Sequence, residues 1–138
     1  MCRLFIGAEA DLWEASTRSM RLEGYVTSVR LEQFFWTVLE DIGARDGLSL
    51  SQLLARLYSE SLEEGHDIDN FASFLRVCCG RYLNLQLTGD IPTDADTPIR
   101  GLDAEGILAR EKARRARQPD IAAEARLALR PDPVRVPN

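Results

Sequence analysis

The sequence predicts a mainly α-helical protein that carries one short β-ribbon. Three observations lead there. Residues 19–31, SMRLEGYVTSVRL, alternate apolar and polar positions around Glu23-Gly24. Three later segments repeat apolar residues at spacings of three and four, the period of a helix face. Glycines and a strong capping signal fall between those segments, where helices should stop and start.

In the ribbon region, Met20 and Leu22 alternate with Ser19 and Arg21, and Thr27, Val29 and Leu31 alternate with Ser28 and Arg30. Both halves read as short strands, and Glu23-Gly24 is a turn signal that can join them as a hairpin. Upstream, CRLFI at 2–6 reads as a further short strand, and EADLWEA at 9–15 as a helical turn. The first long helix spans 33–46, with Phe35, Leu39 and Ile42 on one face and Val38 widening it. Gly43 inside this helix costs about 1 kcal/mol relative to Ala, so a neighbour is expected to approach closely there. Gly47 stands where a helix ends.

The second helix has the sharpest local signal. Ser49 and Gln52 form a capping box, and Leu48 with Leu53 fits a hydrophobic staple. Leu50, Leu53, Leu54, Leu57 and Tyr58 make a broad apolar face, and Gly65 closes the helix. A third helix starts at a cap on Asp69 or Asn70 and runs to Leu87 through Phe71, Phe74, Leu75, Cys78 and Tyr82; Gly80 within it marks close packing or a weak point. After Leu87 the chain becomes turn-rich and Ala/Arg-rich. Residues 104–118 are helix-compatible, Pro119 interrupts, a second short helical stretch follows, and the end is Pro-rich. The expected organisation is an arm at 1–18, a folded domain at 19–87 and a flexible, partly helical tail at 88–138. No internal repeat is visible.

Composition narrows the function. The chain has 138 residues, 45% of them apolar, enough for one domain with an extension. No apolar run approaches the ~20 residues of a membrane span, and the first residues do not form a signal peptide, so the expected location is cytoplasmic. Cys2 stands alone, Cys78 and Cys79 are adjacent, and His66 is the one histidine. That set holds no zinc-ligand spacing, and neither a metal nor another cofactor is expected. The start MCRL resembles that of N-terminal-nucleophile amidotransferases, but a short helical chain lacks the two-sheet frame such a thiol needs, and no enzyme is expected. Net charge is −5, which disfavours indiscriminate nucleic-acid binding. Its distribution is uneven: residues 1–31 and 86–138 are each neutral, and the excess of acid lies at 32–85.

The order strand, helix, Gly turn, capped helix, carried by TSVRLEQFFWTVLEDIGARDGLSLSQLLARLY at 27–58, resembles the ribbon-helix-helix family. The continuation NFASFLRVCCGRYL at 70–83 is similar to the third helix of a subgroup in which Thr-Ser-Val-x-Leu-Glu precedes a Phe-Trp pair. The resemblance implies an intertwined homodimer, one strand from each chain, whose ribbon enters the DNA major groove. It implies a regulator of transcription with duplex DNA and a second copy as partners. Outward Val26, Ser28 and Arg30, with Arg21, would meet the bases, and Ser49 and the backbone of Leu50 would hold a phosphate. Val29, Leu31, Phe35, Leu39, Ile42, Leu50, Leu53, Leu54 and Leu57 would form the dimer core. Val26 departs from the polar residue expected of a base reader, and about 25 residues precede the strand where simpler members have almost none. The alternative is a protein-interaction module, antitoxin-like or adaptor, whose tail 88–138 folds on a protein partner.

Overall fold

A computed structural model describes residues 2–66, 68–118 and 121–129. The chain divides into two compact units, Met1–Leu102 and Asp103–Asn138. The first unit contains α1 (Cys2–Ile6), a 3-10 turn (Ala10–Trp13), β1 (Ala15–Leu22), β2 (Tyr25–Glu32), α2 (Gln33–Arg45), α3 (Leu50–Glu63) and α4 (Phe71–Leu87). The second contains α5 (Ala104–Arg117), capped by the Asp103 carboxylate on the Gly106 amide, and α6 (Ile121–Ala128). Pro119 and the Pro-rich end lie outside the described residues.

β1 and β2 pair antiparallel as one hairpin, with Ala15 opposite Glu32 and Leu22 opposite Tyr25. Glu23 (φ 48°) and Gly24 (φ 83°) both take left-handed conformations. Such a two-residue turn matches the natural twist of the strands, and glycine makes its second position easy. The strands are longer than the alternation at 19–31 suggests. β1 begins four residues earlier, so the arm expected at 1–18 gives its last four residues to the sheet.

The turn signal at Glu23-Gly24 is borne out: the two strands form one hairpin within the chain. Val29, Leu31, Leu39, Leu53 and Leu54 are buried in the single chain, beside Met20, Leu22, Trp36, Val38 and Leu75. Five of the residues expected in a dimer core are thus covered within one chain. The other residues assigned to a dimer core, Phe35, Ile42, Leu50 and Leu57, are half-buried. Thr27, expected to point inward, shares the face of Val29 but is exposed, because the core reaches only the Leu31 end of β2. CRLFI is helical rather than a strand; an apolar run this short does not distinguish the two.

The corner between α2 and α3 explains Gly43. A Cβ built there would meet the Leu48 carbonyl oxygen at 2.8 Å. The Leu48 amide also donates to the Gly43 carbonyl (2.8 Å), and the Gly47 amide to that of Ala44 (3.2 Å). Gly47 itself takes φ 67°. These bonds end α2 with a Schellman-type reversal. Ser49 then opens α3 with both bonds of the capping box (3.2 and 2.9 Å). Asn70 opens α4 by accepting from the Ser73 amide. Gly80 faces open space, so close packing is not its reason.

The boundary expected after Leu87 also moves, because residues up to Leu102 belong to the first unit. Ile91 is buried, and the cause of the attachment is Arg45, itself buried at the end of α2. Its guanidinium donates to the carbonyls of Thr97 (3.1 Å), Pro92 and Asp94 and to the Tyr82 hydroxyl (3.3 Å). Next to it, the Asp46 carboxylate accepts from the Ile99 amide (2.7 Å). A charge this buried needs such partners, and they come from a segment whose composition reads as loop.

Two expectations follow. Gly43→Ala should destabilise the domain by about 1–3 kcal/mol despite alanine's better helix propensity, since the obstacle is backbone that cannot swing aside; a denaturant titration giving equal or greater stability would contradict it. A chain ending at Leu102 should melt like the full chain. A chain ending at Leu87, which loses Ile91 and most of the acceptors of Arg45, should lose about 3 kcal/mol or more.

Candidate nucleic-acid interface

Cross-strand partners in an antiparallel sheet point to the same face, and neighbours along a strand to opposite faces. The register therefore sorts the hairpin into two sides. Met20, Leu22, Val29 and Leu31 enter the core. On the other side stand the exposed pairs Thr17–Arg30, Ser19–Ser28 and Arg21–Val26 and, at the far end, the half-buried pair Ala15–Glu32, whose carboxylate Arg76 holds. The six exposed residues include two arginines and no acid, on a chain whose net charge is −5. Among the described residues no carboxylate forms an ion pair with Arg21 or Arg30; Arg21 makes one long contact, 3.5 Å, to the Gly24 carbonyl.

The structure thus brings Arg21, Val26, Ser28 and Arg30 together on one exposed face, and adds Thr17 and Ser19. Thr17 lies before residue 19, where the alternation in the sequence begins; Ser19 alternates with Met20 and Leu22 there but is not among the expected base readers.

The third arginine of the hairpin, Arg18, has a different position. It lies on the core side, half-buried over the Trp36 ring (4.8 Å to the centroid), and pairs with Glu40 at 3.2 Å. Trp36 is fully buried, and its indole N–H donates to the Ser16 carbonyl at 3.1 Å. This group fixes β1 to α2. A matching clasp fixes the end of β2 to α4: Arg76 holds the Glu32 carboxylate through two parallel bonds of 2.9 and 3.0 Å. Arg76's hydrogen bonding holds the Glu32 carboxyl below its ordinary pKa. Burial pushes the Cys79 thiol up to about 12, with Cys78 beside it adding to the effect. Cys78 is raised by burial too. Neither is poised as a nucleophile, and no cluster of side chains suited to a metal occurs among the described residues.

The α3 N-terminus is the expected phosphate site. The capping box engages both the Ser49 hydroxyl and the Ser49 amide. The amides of Leu50 and Ser51 lie ahead of the helix's own hydrogen bonding and point along the positive end of its dipole. Backbone, rather than the Ser49 hydroxyl, is what this end offers an anion.

The model of the family described as "Ribbon-helix-helix domain" matches residues 15–83, from the first residue of β1 into α4. The chain belongs to the ribbon-helix-helix family. Among solved structures, this ribbon-helix-helix chain is similar to an uncharacterized protein from Bordetella pertussis Tohama I. The two are 54% identical, with a TM-score of 0.75 over 78% of this chain and 86% of the other. No match was found among curated proteins. Among the described residues no helix is long and apolar enough to cross a membrane.

The Glu32–Arg76 clasp has a pH signature. The folded carboxyl titrates below the unfolded one, so its contribution is complete above about pH 4.3, the ordinary glutamate value, and is lost as pH falls through the lowered folded value. Glu32→Gln should cost about 1 kcal/mol or less at pH 7, since both side chains are partly solvated. Urea midpoints of variant and wild type should converge as pH falls below about 4. A gap that persists undiminished at about pH 2.5 would show that the carboxylate charge is not what matters.

Proposed function

We propose that the chain is a sequence-specific DNA-binding protein and a regulator of transcription, which reads the major groove with the outward face of its hairpin. The carrying observation is that face: polar and exposed, its one acid, Glu32, tied to Arg76, with Arg21 and Arg30 making no ion pair, on a chain otherwise rich in acid. A two-stranded ribbon fits the major groove, arginine can donate two bonds to guanine, and serine can bond with several bases. Val26 suits a thymine methyl. The amides opening α3 would hold a backbone phosphate. Ribbon-helix-helix proteins generally form homodimers that bind DNA, and a homodimer is the proposed active form, each copy bringing its own hairpin.

Arg30→Ala tests the reading. Loss of one good guanine contact is worth about 1–3 kcal/mol, so affinity for a DNA selected from a random pool should fall about tenfold or more. The melting temperature should stay unchanged, because the side chain is exposed. Ser49→Ala should instead lower stability by about 1 kcal/mol and leave base preference as it was. If the wild type retards no duplex even at low salt, the DNA reading fails and the protein-interaction reading replaces it.

A further inference from the structure

The paired register exposes a relation between the strands that the linear sequence conceals. β1 contains Thr17-Arg18-Ser19-Met20-Arg21, and β2 contains Val26-Thr27-Ser28-Val29-Arg30. Ser19 lies directly opposite Ser28. A local two-fold axis through that pair, perpendicular to the sheet, carries residues 16–22 of β1 onto the β2 residues nine positions later. It takes Thr17 to Val26, Ser19 to Ser28 and Arg21 to Arg30. On the core side it takes Met20 to Val29 and Leu22 to Leu31, and all four of these are buried. On the outer side all six residues are exposed. On the outer face the repeat holds in chemistry and in burial; on the core face it holds for those two pairs, whereas half-buried Arg18 falls on exposed Thr27 and half-buried Ser16 on exposed Tyr25.

The one outward difference is Thr17 against Val26. These side chains have nearly the same shape and differ in a hydroxyl against a methyl. One hairpin thus presents what two identical strands would present about a two-fold axis: two copies of a small β-branched residue, a serine and an arginine, running in opposite directions.

We infer that β1 is a second reading strand, and that the hairpin of a single chain reads a short, nearly palindromic DNA element by itself. This rests on the DNA-binding reading above. A protein two-fold is mirrored by a palindrome in the DNA it reads, and here the axis lies within one chain. Arg21 and Arg30 then meet guanines related by the centre of the element, and Ser19 and Ser28 lie over the central bases. Thr17 and Val26 break the symmetry at the outer positions. The Val26 end favours a thymine methyl, and the Thr17 end tolerates a hydrogen-bonding edge as well.

The experiment selects binding sequences from a random duplex pool with the full-length wild type, then measures affinity of Arg21→Ala and Arg30→Ala for the selected element and for versions with either guanine replaced. Melting curves confirm that both variants remain folded. Losses of about tenfold or more in both variants are expected, each variant becoming indifferent to one of two symmetry-related guanines. Thr17→Val should move the selected sequence toward a perfect palindrome. If Arg30→Ala loses affinity while Arg21→Ala binds as wild type, β1 is not a reader and the inference is overturned, while the DNA reading stands. If both variants lose preference at the same guanine, the two arginines do not sit on symmetric positions, and the inference is overturned likewise. If the wild type enriches no sequence, the inference falls together with the reading beneath it.

Discussion

The pairing of β1 with β2 is the constraint on which the remaining structure depends. Because side chains alternate strictly along a strand, one register decision distributes both strands at once. It sends Met20, Leu22, Val29 and Leu31 into the helices and leaves Thr17, Ser19, Arg21, Val26, Ser28 and Arg30 outside. A slip of one residue would bury arginines and expose leucines. The Glu23-Gly24 turn excludes such a slip by holding two consecutive residues at positive φ. The register is then held at the far end by the Trp36 indole on the Ser16 carbonyl and by Gln33's amide on the Glu14 carbonyl (2.8 Å).

Five arginines of the first unit divide into two groups along the same line. In the first unit, Arg18 is engaged by Trp36 and Glu40, Arg76 by Glu32, and Arg45 by backbone carbonyls and Tyr82. These hold elements together. Arg21 and Arg30, on the opposite side of the sheet from Arg18, hold nothing in the core. The global charge of −5 therefore says little about the one face where binding is proposed. What bears on binding is the local field of that face.

Much of this was legible in the sequence, for reasons that differ by element. The α2–α3 corner was the clearest, since the Ser49–Gln52 box and Gly47 act through neighbours within a few residues. Gly43 announced a close approach, and the Leu48 carbonyl supplies it. The outward positions of Ser28 and Arg30 followed from alternation. What was not legible depended on distant partners. Arg45 looked like an ordinary basic residue closing a helix, and nothing local shows that it would bind carbonyls about fifty residues away. The attachment of 88–102 was hidden for the same reason. CRLFI misled because five such residues suit either a helix or a strand. The repeat between β1 and β2 was invisible because its halves share only a serine and an arginine on the outer face; pairing, not similarity, reveals it.

The most direct test of the account is amide chemical-shift mapping of the full-length protein as selected duplex DNA is added. The largest changes should fall on residues 17–21 and 26–30 and on the first amides of α3, and they should weaken as salt is raised. Changes centred on α1 or on the Asp103–Asn138 unit, with the hairpin unperturbed, would contradict the claim that the outward face of this ribbon is where the molecule meets DNA.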